Sequence, residues 1–303
     1  MMPQREDAGL QHVIGIDGGG TTCRAAVADA QGSVLGSGAS GAANIMTDLE
    51  SARVNIVDAA CSACRDAGLA PVDLEAIPAV LGLAGANVGD YARRIRLALP
   101  FRESVIESDA VIALQGALGD RDGAVAIIGT GSVFAARDNG RLRFVGGWGF
   151  MVGDLGSGAR VGRALLQETL LAHDGVHSAS PLSNAVLDRF DGDPRRLVEY
   201  AHTAKPGEFG VFAPLVFEYA ERNDPIATAL VEGARRSIEE ALDAIMPADC
   251  AWLCLLGGLA RRYENRLRER YRALLKEPLG DELQGAVALA VKRFGRTGAP
   301  DRE

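Results

Sequence analysis

One pattern constrains this 303-residue chain more than any other, because it occurs twice. An apolar strand-like run runs into a turn of glycine and hydroxyl residues, then into a second strand, a tight turn and a third strand. The first copy has runs at 13–16, 24–28 and 34–37, with Gly18, Gly19, Gly20, Thr21 and Thr22 in its first turn and Gln31-Gly32 in its second. The second has runs at 124–128, 133–137 and 141–145, with Gly129, Thr130, Gly131 and Ser132 in its first turn and Asp138-Asn139-Gly140 in its second. Asn-Gly between two β-like runs is a hairpin signal. A repeat of this size predicts two halves of one architecture rather than a solenoid. Glycine lets backbone N–H groups crowd around an anion, and successive turn N–H groups form a nest of phosphate size. The competing reading is a hairpin whose glycines only satisfy turn geometry.

The rest of the chain fits α/β halves. Asp48 can cap a helix that Gly68 ends; a strand at 79–83, a helix at 91–99, a strand at 104–107 and a helix at 109–118 follow. The segment GDRDG at 119–123 breaks the pattern, which predicts domains at 1–118 and 119–303. In the second, 159–246 reads as mostly helical and is punctuated by prolines 181, 194, 206, 214 and 225. A strand at 252–256, a helix at 263–275 and a last helix at 281–294 complete it, the last placed so that it can pack back on the first domain. At 48% hydrophobic residues, both domains can hold cores.

A net charge of −8 argues against nucleic acid as a partner. The basic run 261–272 alternates arginine with Glu, Tyr and Leu and reads as a solvated helix face. No apolar run reaches the ~18 residues of a membrane span. Residues 1–11 lack an apolar signal region, so the expectation is a soluble, cytoplasmic protein without a membrane partner. Its five cysteines are expected to be reduced thiols. Cys61 and Cys64 have metal-pair spacing but fall inside a helix with no second pair, and the four histidines form no H-E-x-x-H pattern.

Five constellations could carry chemistry. Asp17, at the end of the first strand, can hold a hydrated Mg²⁺, with Thr21 and Thr22 beside it. Thr130, Gly131 and Ser132 would act with Gly19 and Gly20 as two lips on one phosphate chain. No P-loop is present, and no G-x-G-x-x-G motif follows a strand. Gly257 and Gly258, after an apolar strand, would let a base or ribose lie on the backbone. Asp109 lies where a strand passes into a helix: an N-cap, or a base at the ligand-binding end of a sheet. The loop 146–158 holds six glycines with Gly147, Trp148 and Asp154, and such loops are usually shaped for a ligand or a hinge.

Taken together these motifs resemble the acetate and sugar kinase/Hsp70/actin superfamily, and within it the BadF/BadG/BcrA/BcrD-type group that contains glucosamine and N-acetylglucosamine kinases. GIDGGGTTCR is similar to that group's first phosphate motif, AIIGTGS to its second, ESDA to its catalytic segment, LLGGLA to its adenosine motif and GGWGFMVGDLGSG to its sugar-side loop. The resemblance implies a duplicated ribonuclease-H-like, actin-like ATPase fold with an ATP cleft between two domains. It implies ATP and Mg²⁺ as cofactors and phosphorylation of an amino sugar at its 6-hydroxyl by a homodimer. Asp109 would be the base and Asp17 the magnesium anchor, acting through water. Gly19, Gly20, Thr21, Thr22, Thr130, Gly131, Ser132, Gly257 and Gly258 would hold ATP, and Asn44, Asp109, Gly147, Trp148 and Asp154 the sugar. Leu155 departs from the family loop, where an acidic or amide residue follows the aspartate. Two alternatives share the fold: an iron–sulfur ATPase activator of a 2-hydroxyacyl-CoA dehydratase, and a non-catalytic sugar or nucleotide sensor. Ile128 before GTGS, and the lack of a suitably placed cysteine pair in the second half, argue against the activator.

Overall fold

The computed structural model describes residues 12–295, without the side chains of 71–73. The N-terminal stretch read for a signal region lies outside the described residues. The described chain divides into two compact units, residues 12–121 with 277–295, and residues 122–276. Among the described residues no helix is long and apolar enough to cross a membrane.

The first unit contains strands β1 (His12–Gly18), β2 (Cys23–Asp29), β3 (Val34–Ser40), β4 (Ala79–Leu83) and β5 (Ser104–Ser108). Around them lie helices α1 (Leu49–Asp66), α2 (Tyr91–Ala98) and α3 (Asp109–Leu118), and a short 3-10 turn, Pro71–Ala76. The sheet order is β3-β2-β1-β4-β5, antiparallel on the hairpin side and parallel from β1 to β5. Central strands buried on both faces read as continuous apolar runs, which is why 13–16 and 79–83 stand out in the sequence. Ile14 and Ile16 face the core that α1 closes, while Val13 packs with Val287 and Ala290 of α12 (Glu282–Phe294), a helix from the chain's far end. Small residues set these approaches. A Cβ on Gly38 would stand 2.3 Å from the Ala59 carbonyl of α1, and one on Gly285 2.0 Å from the Ile112 carbonyl of α3.

The second unit repeats the plan. Strands β6 (Gly123–Ile128), β7 (Ser132–Asp138), β8 (Arg141–Gly146) and β9 (Leu253–Leu256) form a sheet ordered β8-β7-β6-β9. Asn139 and Gly140 both take positive φ, as a two-residue hairpin turn of this type requires. A fifth position beside β9 is reduced to one bridge, Leu253 with Leu275. Between β8 and β9 run α4 (Gly158–His173), α5 (Pro181–Asp188), α6 (Pro194–Thr203), α7 (Pro206–Gly210), α8 (Ala213–Glu221) and α9 (Pro225–Ile245). Each proline of the sequence reading stands in the first turn of its helix, where its missing N–H costs nothing.

The helix expected over 263–275 is instead two short ones, α10 (Ala260–Glu264) and α11 (Glu269–Arg272). The cause is long-range. Glu239 of α9, fully buried, accepts the Arg268 backbone N–H at 2.7 Å and its side-chain Nε at 2.5 Å, and also pairs with Arg235. That holds Arg268 extended, with ψ 150°. Nor are the arginines of this run simply solvated. Arg262 pairs with Glu221, Arg270 with Asp243 and Arg272 with Glu269. Cys61 and Cys64 lie inside α1 and form no disulfide, Cys64 buried.

Candidate active site

In the first unit, parallel pairing brings the ends of three strands side by side. Gly18 of β1 pairs with Leu83 of β4, which pairs with Ser108 of β5. Asp17, the turn 19–22 and Asp109 therefore share one sheet edge, the edge at which open α/β sheets bind ligands. Asn44 joins them, because the Ala43 N–H bonds the Gly19 carbonyl at 2.8 Å and the Ile45 N–H the Ala84 carbonyl at 3.1 Å. The Asn44 Oδ1 accepts the Met46 and Thr47 N–H groups, so that end of its amide holds a local turn.

The turn glycines separate the two readings of the motif. Neither Gly19 nor Gly20 has positive φ. A Cβ on Gly20 would meet nothing within 4 Å, and one on Gly19 only the Thr22 carbonyl at 3.5 Å. Neither turn geometry nor internal packing requires glycine there. Gly20, Thr21 and Thr22 are exposed. What remains is room for an external group against backbone N–H groups. Gly129 and Gly258 in the second unit have the same open surroundings, whereas Gly257 has φ +92° and lies against Ile128.

Asp109 is the first residue of α3; the cap position expected of it belongs to Ser108. Its Oδ1 accepts the Ala110 N–H at 2.8 Å. Burial raises its pKa above the ordinary carboxylate value, backbone hydrogen bonds from Ala110 and its own N–H act the other way, and the charge of Glu282 adds to the rise. Asp17 is also raised by burial, opposed by Arg24 and reinforced by the charges of Glu282 and Asp109. Arg24 was not singled out in the sequence, yet it ties the edge together. It donates to Asp17 Oδ2 through Nε at 3.0 Å and Nη2 at 2.7 Å, to Asp281 at 2.8 Å and to Glu282 at 3.2 Å. The first turn of α12 is thus part of the site's surroundings. The only sequence signal was Asp281, read as the start of a helix, where it does form a capping box with Gln284. Both Arg24 bonds use Oδ2 of Asp17. A hard oxygen donor in an acid-rich setting suits Mg²⁺ held through water, so the residues fit that ion.

In the second unit the turn 129–132, the loop 146–158 and the segment after β9 form one hydrogen-bonded assembly. The Gly158 N–H donates to the Gly129 carbonyl at 2.8 Å, the Ala159 N–H to Thr130 at 3.1 Å and the Gly147 N–H to Ser132 at 3.1 Å. Leu259 N–H donates to the Ile128 carbonyl at 3.0 Å. Asp154 is 7% exposed with φ +60°, and its carboxylate receives the Ser132 backbone N–H. Burial raises the Asp154 pKa, against that hydrogen bond and the charge of Arg160. A Cβ on Gly131 would be 3.0 Å from Asp154 Oδ2, so glycine there leaves room for the carboxylate. Ser132 is buried and spends its hydroxyl proton on the Leu155 carbonyl at 2.7 Å, so it braces the loop from within while Thr130 is exposed. The Leu155 side chain packs against the unit's core. Trp148 stands 69% exposed at the loop's outer end. An apolar cavity of about 520 Å³ between α4, α6 and α7 includes none of these residues.

The duplicated sheet and its paired Gly/Thr turns define a two-domain α/β protein of the actin-like ATPase and sugar kinase class, and solved structures bear this out. A protein from Chromobacterium violaceum, provisionally named an N-acetylglucosamine kinase, matches with TM-score 0.85 at 33% identity over 93% of this chain and 99% of its own. A sequence model for the BadF/BadG/BcrA/BcrD ATPase family matches residues 14–289, and the chain belongs to that family. Among its relatives, glucosamine kinase GspK of Vibrio cholerae is 36% identical over 93% of this chain and 97% of its own length. An N-acetyl-D-glucosamine kinase of Dictyostelium discoideum is 27% identical over 77% of this chain and 78% of its own.

Proposed function

We propose that this protein is an ATP-dependent amino-sugar kinase that phosphorylates glucosamine or N-acetylglucosamine at the 6-hydroxyl. The observation that carries the reading is the set of glycines at 19, 20, 129 and 258, which the fold itself does not require and which keep space open over backbone N–H groups. Relatives named for glucosamine and N-acetylglucosamine phosphorylation support the substrate class over an ATPase activator.

In this reading Asp109 accepts the proton of the sugar's 6-hydroxyl. The freed oxygen attacks the γ-phosphorus, a new P–O bond forms, and the bond to the bridging oxygen breaks with ADP as the leaving group. Gly19, Gly20, Thr21, Thr22, Thr130 and Gly131 hold phosphates through backbone N–H and hydroxyl groups, with Ser132 shaping the second turn. Gly257 and Gly258 lie under the nucleoside. Asn44, Gly147, Trp148 and Asp154 orient the sugar. Asp17 would hold Mg²⁺ through water, and the ion would neutralise phosphate charge. By family likeness we also propose a homodimer, which sedimentation velocity would register as a species of twice the chain mass. The reading is tested by ADP release over a panel of hexoses and amino sugars. Stimulation by amino sugars supports it; ATP turnover indifferent to every sugar refutes it.

A further inference from the structure

Three carbonyls of the loop 146–158 are each captured by a side chain from a different place. Arg160 of α4 donates to Gly153 at 2.9 Å, Ser132 of the phosphate turn to Leu155 at 2.7 Å, and Tyr263 of α10 to Gly156 at 2.8 Å. The half of the loop that carries Asp154 is therefore fixed from three sides. The other half is not: Trp148, Met151 and Val152 are 69–81% exposed.

Tyr263 is the unusual member of the three. It lies five residues beyond Gly258, in the helix that follows the nucleoside turn. Its ring is fully buried and meets Phe217 edge-on at 5.2 Å. Phenylalanine would fill that space equally well. The hydroxyl serves only the Gly156 carbonyl among the bonds described, and a buried hydroxyl is retained where it has a partner. Both ends of the link are rigid. Gly156 has φ +71° and lies so close to Ile238 that a Cβ would approach it to 2.4 Å. Gly257 lies against Ile128, where a Cβ would come within 2.5 Å of the carbonyl oxygen. A shift of the nucleoside turn is thus passed to Gly156, two residues from Asp154, and a shift of Asp154 is passed back.

We infer that Tyr263 is a positioning residue that couples nucleotide binding at Gly257 and Gly258 to sugar binding at Asp154. The inference rests on the amino-sugar kinase reading. Coupling of this kind is reciprocal, since each ligand must change the other's affinity by the same factor. It differs from a packing role, which would alter stability and leave that factor alone.

The test is calorimetric titration of AMPPNP with Mg²⁺, with and without saturating glucosamine, for the native protein and Tyr263→Phe. The native protein should show the sugar tightening the nucleotide by a factor within about 5–150. In Tyr263→Phe that factor should fall toward one while both ligands still bind. A native factor preserved in the variant overturns the inference and leaves the kinase reading standing; native protein that binds no amino sugar overturns the kinase reading itself. Hydrogen exchange on the unmutated protein gives a second check that does not depend on the variant folding. AMPPNP with Mg²⁺ alone should slow exchange across residues 153–158, and unchanged exchange there overturns the link.

Discussion

Asp109 has two opposed demands on it. As the proposed base it must be ionised, yet burial and the nearby Glu282 carboxylate raise its pKa. A base with a raised pKa loses activity at a pH above the usual carboxylate range of about 3.9, so the acid limb of kcat/KM should fall above that value; a limb at or below it would contradict the assignment. The same shift has a sign for stability. A carboxyl with a raised folded-state pKa contributes its stability below the unfolded value and loses it as pH rises through the folded one. At neutral pH the ionised group is therefore a burden, and Asp109→Asn should raise the thermal midpoint there while slowing turnover. Among the described residues, Arg24 is the cation that donates to Asp17, Asp281 and Glu282. Because these groups are partly exposed, Arg24→Ala should cost only about 1–2 kcal/mol in chemical denaturation, the scale of a few solvent-screened charged hydrogen bonds. Arg24 was not legible as a site residue, since two of its three acidic partners, Asp281 and Glu282, lie more than 250 positions away and only the folded chain reveals them.

At the scale of elements, close approach of backbones governs how the first unit closes. Gly116 of α3 lies where a Cβ would come 2.0 Å from the Asp281 carbonyl, and Gly285 of α12 presents the reciprocal contact with Ile112. Backbone cannot swing aside as a side chain can. Gly285→Ala should therefore destabilise by about 1–3 kcal/mol or more, the range for overpacking, read as a lower urea midpoint with unchanged slope. Strands were legible where an apolar run met a turn signal: the run at 79–83 coincides with β4 and the helix at 109–118 with α3. The 263–275 segment was not. Its residues favour a helix locally, and the interruption comes from Glu239 in α9, which holds Arg268. That partner is not visible at short range, which is the usual reason tertiary contacts override propensity. The chemistry-bearing loop was legible as glycine-dense, but its division into a braced half and an exposed half depends on Arg160, Ser132 and Tyr263 together.

For the whole molecule, duplication is the organising fact. Each unit builds its sheet outward from a hairpin and a parallel partner, β3-β2-β1-β4 in one and β8-β7-β6-β9 in the other. Each thereby offers a Gly/Thr turn at the end of its first strand. One copy has acquired Asp109 at the neighbouring parallel edge; the other has acquired the loop with Asp154 and the proposed nucleoside turn after β9. Division of labour between copies of one sheet explains how a chain with no P-loop can still be built for phosphoryl transfer. The central claim is that Asp109 deprotonates an amino sugar in an ATP-dependent transfer. The direct measurement is ADP release with saturating MgATP and glucosamine or N-acetylglucosamine, comparing the native protein with Asp109→Asn. The account predicts sugar-dependent release by the native protein and a loss of about 10²–10⁴-fold in kcat for the variant, as removal of a general base produces. Sugar-dependent release that survives in Asp109→Asn at the native rate would contradict it.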